Sequence, residues 1–336
     1  MKVIIKDIAY YLPQRVVTNE ELYKENPGWK TETLEERIGV MKRHVAGDGE
    51  TALDLAYRAC EEIISKNSEL PKLIDGIIFC TQSGDHVMPS NACILHKMLK
   101  LSEEVIAFDF NLACSGYIYG LAIVQGLILS GMAKNILLVN ADTYSKYIAK
   151  NDRSVRMLFG DGAAVSWISL SGSGSSIIDI ICATAGQYFD KFIIPAGGCR
   201  MPKSGRTSEL LTDESGNSRT LENIHMDGMG IFSFVNSRVP RQIKKILTHN
   251  RLNVTDIKLF VFHQASKMAL DSLGCLLGIN PEKVFKNLGE IGNTVSASIP
   301  IALKDALNSG KLSKGDKVLL SGFGVGLSWG AAIIEI

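Results

Sequence analysis

The sequence predicts an α/β protein built from two duplicated halves. Three observations lead to it. β-prone apolar runs alternate with helical patterns along the chain. The second half repeats the first at consistent offsets, and a serine and glycine run, Ser171 to Ser176, reads as the link between residues 1–172 and 177–336. A chain of 336 residues is long enough for about two domains and buries roughly three quarters of its unfolded surface.

In chain order, Val3 to Ile8 is a first strand and Asn19 to Tyr23 a short polar helix. Thr51 to Lys66 carries Ala52, Leu55, Ala56, Ala59, Ile63 and Ile64 on one side of a helix, and Gly76 to Cys80 is the next strand. Val105 to Phe108 is β-prone and leads into a polar, glycine-containing elbow that places Cys114 at the start of a helix. From Ile118 to Leu129 that helix is apolar nearly all round, the pattern of a buried element. A strand at Asn135 to Asn140, a basic loop from Lys146 to Arg156 and the segment FGDGAAVSWISL complete the first half, and Lys258 to Phe262 is a strand of the second.

The repeat is most visible around these strands. Placing Phe79 on Phe262 aligns GIIFCTQS with LFVFHQAS, and further on Glu104-Val105 resembles Lys283-Val284. Nine residues after each valine stand Cys114 and Asn293, and sixteen residues further on stand Ser130-Gly131 and Ser309-Gly310. The strands NILLV and KVLLS follow. Pseudo-twofold symmetry brings equivalent loops together between the halves, where ligands commonly sit. Cys114 and Asn293 are therefore expected to face one another, with His263 delivered beside them by the strand that precedes it.

Composition narrows the function classes. With 36 basic and 35 acidic residues and a net charge of +1, the balance points to neither nucleic acid nor a membrane surface. No apolar run reaches the roughly 18 residues of a membrane span, and MKVIIKDIAYYLP is too short in its apolar part for a signal peptide. The seven cysteines lack CxxC spacing and read as reduced thiols of a cytoplasmic protein. The six histidines show no ligand spacing, so no metal is expected.

At a strand-to-helix turn, the free N–H groups of the helix favour an anion on Cys114 by about 0.3–2 kcal/mol. That is about 0.2–1.5 units on a thiol of pKa near 8.5, at most about half thiolate at pH 7. Further groups must help, and the repeat supplies His263 and Asn293. Cys, His and Asn together serve two chemistries. In papain-like proteases the histidine activates the thiol and the asparagine orients the histidine, but the C-G-[SA]-C-[WY] signature is absent and such proteases are not duplicated α/β halves. In a condensing enzyme the cysteine takes an acyl group from a thioester. His and Asn then donate hydrogen bonds to the carbonyl of a second thioester as it loses CO₂, each worth about 2.7–4 kcal/mol on the developing oxyanion.

The motifs NLACSG (Asn111 to Gly116), FGDGA (Phe159 to Ala163), IPAGGCRMP (Ile194 to Pro202), FHQAS (Phe262 to Ser266), GNTVSASIP (Gly292 to Pro300) and GFGVGLSWG (Gly322 to Gly330) occur in order. Together they resemble β-ketoacyl-(acyl carrier protein) synthase III of the thiolase superfamily, over essentially the whole chain. The resemblance implies a thiolase-like layered αβαβα fold and a cytoplasmic homodimer. It implies decarboxylative Claisen condensation of an acyl primer from acyl-CoA with a malonyl thioester on acyl carrier protein, in fatty-acid or related acyl or polyketide biosynthesis, with no cofactor. A non-decarboxylating acyltransferase on the same scaffold is the alternative.

Carried over by position, Cys114 is the acyl-accepting nucleophile and His263 and Asn293 the decarboxylation pair. The backbone N–H groups of Cys114 and Val325 form the oxyanion hole. The GxGxG around Val325 lacks the third glycine and following helix of a dinucleotide fingerprint, and tight backbone approach accounts better for its glycines. Arg153 falls where the family stacks a guanidinium on the CoA adenine, and Gly228 and Phe232 fall on the pantetheine channel. Met88 falls where one subunit reaches into the acyl pocket of the other.

The sequence also departs from the family pattern. Thr33 stands for a tryptophan, leaving Trp29 as the aromatic available to adenine and implying weaker CoA binding. Ser266 replaces the asparagine of HQAN at a position that helps hold pantetheine. Met268 and Cys275 replace basic residues that meet the carrier protein, with Lys267, Lys244 and Lys245 as substitutes. The loop Lys203 to Ile224 is long, polar and expected to be mobile.

Overall fold

The computed structural model describes residues 2–30, 32–170 and 172–336, with only the backbone for 32–34. Nine strands make the main sheet: β1 (Ile4–Tyr11), β2 (Gly76–Cys80), β3 (Ile106–Phe110), β4 (Asn135–Asp142), β5 (Gly162–Ser169), β6 (Ser175–Thr184), β7 (Leu259–Phe262), β8 (Lys317–Gly324) and β9 (Ser328–Glu335). Their order is β7-β8-β9-β6-β1-β5-β4-β2-β3.

Outward from its centre, the sheet has two wings of one plan. Beyond β1, the pairs with β5 and then β4 are antiparallel, and β4-β2 and β2-β3 are parallel. Beyond β6, the pairs with β9 and then β8 are antiparallel and β8-β7 is parallel. Val284 then makes a parallel bridge to Phe260, in the place β3 holds in the first wing. The serine run read as a link is partly strand, since Ser175 and Ser176 pair with Ile5 and Ile4 of β1 and stitch the wings together. Small polar residues look like linker in composition, but strand pairing uses only their backbone groups.

Six helices complete the layers: α1 (Ala52–Ser65), α2 (Asn91–Met98), α3 (Gly116–Leu129), α4 (Gly228–His249), α5 (Lys267–Leu277) and α6 (Ser298–Asn308). α1 and α2 cover the outer face of the first wing; α4 covers the outer face of the second, with α5 packed on it. α3 and α6 lie between the wings, each touching strands of both. Three apolar clusters fill the gaps of this αβαβα stack. The inner one joins Tyr117, Ile118, Leu121 and Val124 of α3 to Ile299, Ala302 and Leu303 of α6 and to strands of both wings. Burying each large side chain there contributes about 1.5–3 kcal/mol. Neither half can cover its inner face alone.

Local chemistry explains why the repeat survives at the helix ends. Thr51 and Asp54 form a capping box at the start of α1. α3 and α6 end in Ser130-Gly131 and Ser309-Gly310, with the glycines at φ of 80° and 71°, a left-handed geometry that glycine adopts without cost.

The loop expected to be mobile is folded. Leu211–Thr212 pairs with Ser218–Arg219, and the Arg219 guanidinium donates to Asp152 at 2.7 Å and Asp213 at 2.9 Å. These charge-assisted bonds hold a segment whose composition alone suggests none. All seven cysteines are free thiols. Among the described residues no helix is long and apolar enough to cross a membrane.

Candidate active site

Cys114 sits between the end of β3 and the first residue of α3 and is buried. The elbow is closed from above by β8. A Cβ on Gly322 would lie 2.7 Å from the Cys114 carbonyl oxygen, and one on Gly324 would lie 2.9 Å from its sulfur. Only glycine permits that approach. The backbone N–H groups of Cys114 and Val325 both reach the sulfur and pull its pKa down. Burial, reinforced by the negative charge of Asp142, outweighs them and holds the thiol well above the ordinary thiol range. The helix end was expected to lower this pKa; desolvation instead has the larger effect, because the elbow is roofed by protein and not by water.

Asn293 occupies the matching elbow of the second half. Its backbone bridges in parallel to Phe159, and its Oδ1 accepts the Val295 N–H at 2.9 Å. That bond turns the amide nitrogen away from the loop and toward His263. His263 follows β7 and is buried with its ring edge-on to Phe323, centroids 5.6 Å apart. Burial lowers its pKa to about 3, so the ring is neutral at physiological pH. Its Nδ1 lies 2.6 Å from the Ser298 hydroxyl, and its Nε2 lies 3.4 Å from Asn293 Nδ2. When Ser298 donates to Nδ1, Nε2 carries the proton. Two N–H donors then converge on one point.

That point lies on the floor of a cavity of about 530 Å³, lined by Cys114, His263 and Asn293 together. The profile described as 3-oxoacyl-(acyl-carrier-protein) synthase III matches residues 108–186, and that for its C-terminal part matches residues 247–336. The β-ketoacyl-(acyl-carrier-protein) synthase III of Campylobacter curvus is 36% identical over 336 residues, covering 100% of this chain and 97% of the relative. The chain belongs to the β-ketoacyl-(acyl-carrier-protein) synthase III family. A 2.1 Å crystal structure of a synthase III superposes with a TM-score of 0.96 at 37% identity, with 100% of both chains covered. The Aquifex aeolicus synthase III superposes with a TM-score of 0.83 at 32% identity and the same coverage. Like them, this synthase III is an α/β enzyme of the thiolase-like fold, and it is a transferase.

The wider cavity of the synthase brings most of the other candidate residues together. Arg153, Gly228, Phe232 and Ser266 line it, as does Arg37. Ser266 also caps α5 by accepting the Ala269 N–H at 3.2 Å, a structural task that the motif alone does not disclose. Met88 does not line the cavity of its own chain; it is 80% exposed, next to the fully exposed Val87. The side chain of Thr33 lies outside the described residues, and Trp29 packs on the outer core of the second wing. Met268 is at the cavity wall, Cys275 is exposed, and Lys267 is paired with Asp271 at 2.8 Å.

Sequence reasoning missed Asp142. Its buried carboxylate ends β4, accepts the Gln82 N–H at 2.8 Å and takes the Ser296 hydroxyl at 2.7 Å. It thereby ties the first half to the elbow of Asn293, and burial lifts its pKa to about 7. The lone acidic residue at a strand end carries no local signal of that burial. Ser298 was missed for a similar reason: serine in GNTVSASIP is one of several small residues, and only the fold sets it against the ring.

Proposed function

We propose that this synthase III joins an acyl primer to a malonyl thioester with loss of CO₂, in fatty-acid synthesis. One observation carries the reading: two buried donors, Asn293 Nδ2 and His263 Nε2, stand 3.4 Å apart beside the thiol that would hold the primer. The relatives bear the synthase name in full.

In the first step, Cys114 Sγ attacks the carbonyl carbon of acyl-CoA. The oxyanion forms between the N–H groups of Cys114 and Val325, and the C–S bond to CoA breaks. The thiol proton ends on the departing CoA sulfur, leaving acyl-Cys114. This half of the cycle is an acyl transfer. In the second step, the thioester oxygen of the malonyl group accepts hydrogen bonds from His263 and Asn293. The bond to the carboxylate breaks, its electron pair moves into the enolate, and CO₂ leaves. The enolate carbon attacks the acyl-cysteine carbonyl, again over the two backbone donors. Collapse expels the Cys114 thiolate and yields a 3-oxoacyl thioester. Neutral His263 suits this step, since a donor and not a base is needed. The chemistry is that of thioesters and calls on no metal or organic cofactor.

The malonyl group is taken to ride on acyl carrier protein, since the relatives' names give acyl carrier protein as the carrier of their β-ketoacyl group, and the primer to arrive as acyl-CoA along Arg153, Gly228, Phe232 and Ser266. The enzyme is taken to be a cytoplasmic homodimer, and the exposure of Met88 accords with its reaching the partner's pocket. Acyl transfer without decarboxylation is not favoured, because it leaves the paired donors without a second carbonyl. The test is intact-protein mass spectrometry with a panel of acyl-CoAs, together with CO₂ release from malonyl thioester. A mass gain on wild type that is lost in Cys114→Ala supports the proposal; a gain that persists in Cys114→Ala overturns it.

A further inference from the structure

Ser115 stands at the N-cap of α3, where a serine ordinarily accepts from an N–H of the first turn, yet its side chain makes no such bond. Its hydroxyl instead crosses to the other half and lies 2.7 Å from Oγ of Ser328. Ser328 in turn donates to the carbonyl oxygen of Val325 at 2.8 Å. Ser328 has one hydroxyl proton and gives it to that carbonyl, so the proton between the two serines comes from Ser115. Both residues are fully buried.

The loop at the end of this chain of bonds is held at its far side, where Gly324 pairs with Ser328 and the Leu327 carbonyl accepts the Ala185 N–H at 2.8 Å, while the bond to Val325 itself comes from Ser328 Oγ. Val325 begins the turn that joins β8 to β9, and it is flanked by Gly324 and by Gly326, whose φ is 124°. Glycines leave the peptide units on either side free to swing. The Val325 N–H must nevertheless point at the Cys114 sulfur, and an oxyanion donor works only when its direction is set beforehand. In the matching elbow, the residue after Asn293 is Thr294, whose buried hydroxyl makes no hydrogen bond. The arrangement belongs to the elbow with the nucleophile alone.

We infer that Ser115 and Ser328 form a hydroxyl relay that aims the Val325 N–H of the oxyanion hole, linking its direction to the elbow that bears Cys114. Ser328 is the positioning residue, and Ser115 orients Ser328. The inference rests on the proposed function through the role given to the Val325 N–H.

The test compares Ser328→Ala, Ser328→Thr and Ser115→Ala in the full chain. Two readouts are taken beside the melting temperature: the rate of acyl-Cys114 formation from acyl-CoA by rapid-quench mass spectrometry, and the pH profile of Cys114 alkylation by iodoacetamide. Losing an oxyanion donor outright costs about 10²–10³ in rate, so a misaimed one is expected to cost roughly tenfold or more. Ser328→Ala should show that loss in the maximal rate, with the apparent KM for acyl-CoA changed less than about twofold, and its alkylation midpoint should move to higher pH. Ser328→Thr, which keeps a hydroxyl, should recover most of the rate, and Ser115→Ala should fall between. A Ser328→Ala enzyme with wild-type melting, rate and alkylation midpoint overturns the relay. Should that variant not fold, Ser115→Ala with unaltered rate and midpoint overturns it equally. A wild type that accepts no acyl group from any acyl-CoA sinks the proposed function instead, and the alkylation profile, which needs no acyl-CoA, still decides the relay.

Discussion

The hydroxyl of Ser298 lies 2.6 Å from Nδ1 of His263, and when it donates there the ring keeps its proton on Nε2, the tautomer that the decarboxylation step uses. With the proton on Nε2, the ring and Asn293 present two donors to one oxygen. Ser298→Ala frees the ring to carry its proton on either nitrogen. CO₂ release from malonyl thioester is expected to drop by about ten- to a hundredfold, while acylation of Cys114 drops far less. Parallel CO₂ and mass measurements on one preparation check this; equal losses in both steps would count against a tautomer role.

The roles of the three cavity-floor side chains separate by half-reaction. Cys114→Ala should take up no acyl group. His263→Ala and Asn293→Ala should still acylate, yet each should lose about 10²–10³ in CO₂ release. An Asn293→Ala enzyme that decarboxylates normally would contradict the convergence of donors described above.

Asp142 and His263 drive the pH dependence of stability in opposite directions. Burial lifts the Asp142 carboxyl to about 7, so the folded protein keeps a proton that the unfolded chain loses near pH 4. Stability from this group falls as pH rises through that window. Burial lowers His263 to about 3, so the unfolded chain gains a proton below about pH 6.5 that the folded protein refuses. Stability from this group falls as pH drops. At 1.36 kcal/mol per unit, each effect is on the order of 4 kcal/mol, and between about pH 4 and 6.5 they offset. Relative to wild type, Asp142→Asn should therefore lose melting temperature more steeply on acidification across that window, and His263→Phe less steeply. Parallel melting curves for the three proteins would refute the assignment.

The same carboxylate opposes ionisation of Cys114. Asp142→Asn removes that charge and is expected to raise the rate of Cys114 alkylation at pH 8, by about three- to tenfold if the thiol pKa falls by half to one unit. Peptide mapping after limited iodoacetamide treatment reads this directly, and an unchanged rate would show that burial alone controls the thiol.

Gly324 probes the roof of the elbow. Its φ of 165° is extended backbone open to any residue, so Gly324→Ala acts through its methyl alone, 2.8 Å from Cys114 Cβ and 2.9 Å from the sulfur. Overpacking of this kind costs roughly 1–3 kcal/mol of stability. Acylation should fall by about 10² because the displaced sulfur no longer meets the two N–H donors. A Gly324→Ala enzyme that acylates at the wild-type rate would show that the roof yields.

Much of the architecture was legible in the residues, because strands and helix ends are local events. The strand Gly76–Cys80 has the predicted ends, and the Ser-Gly pairs that marked the repeat are the C-terminal caps of α3 and α6. Helix α4 was not legible: two of its first three residues are glycines and Pro240 lies within it. Its apolar face, with Phe234, Val235, Val239 and Ile243 in the outer core, forms against strands distant in sequence. The helix is made by that packing and not by propensity.

The sequence by itself determined the duplicated halves, the pairing of Cys114 with His263 and Asn293, and the family, since all three depend on residue identity and spacing. Tertiary structure alone decided the state of those residues. The helix end that favours a thiolate was visible in one dimension, whereas the roof of Gly322 and Gly324, the Asp142 charge and the Ser298 contact come from segments that meet only on folding. Desolvation scales with what surrounds a group in space, so the pKa of Cys114 moved up where its place in the chain pointed down.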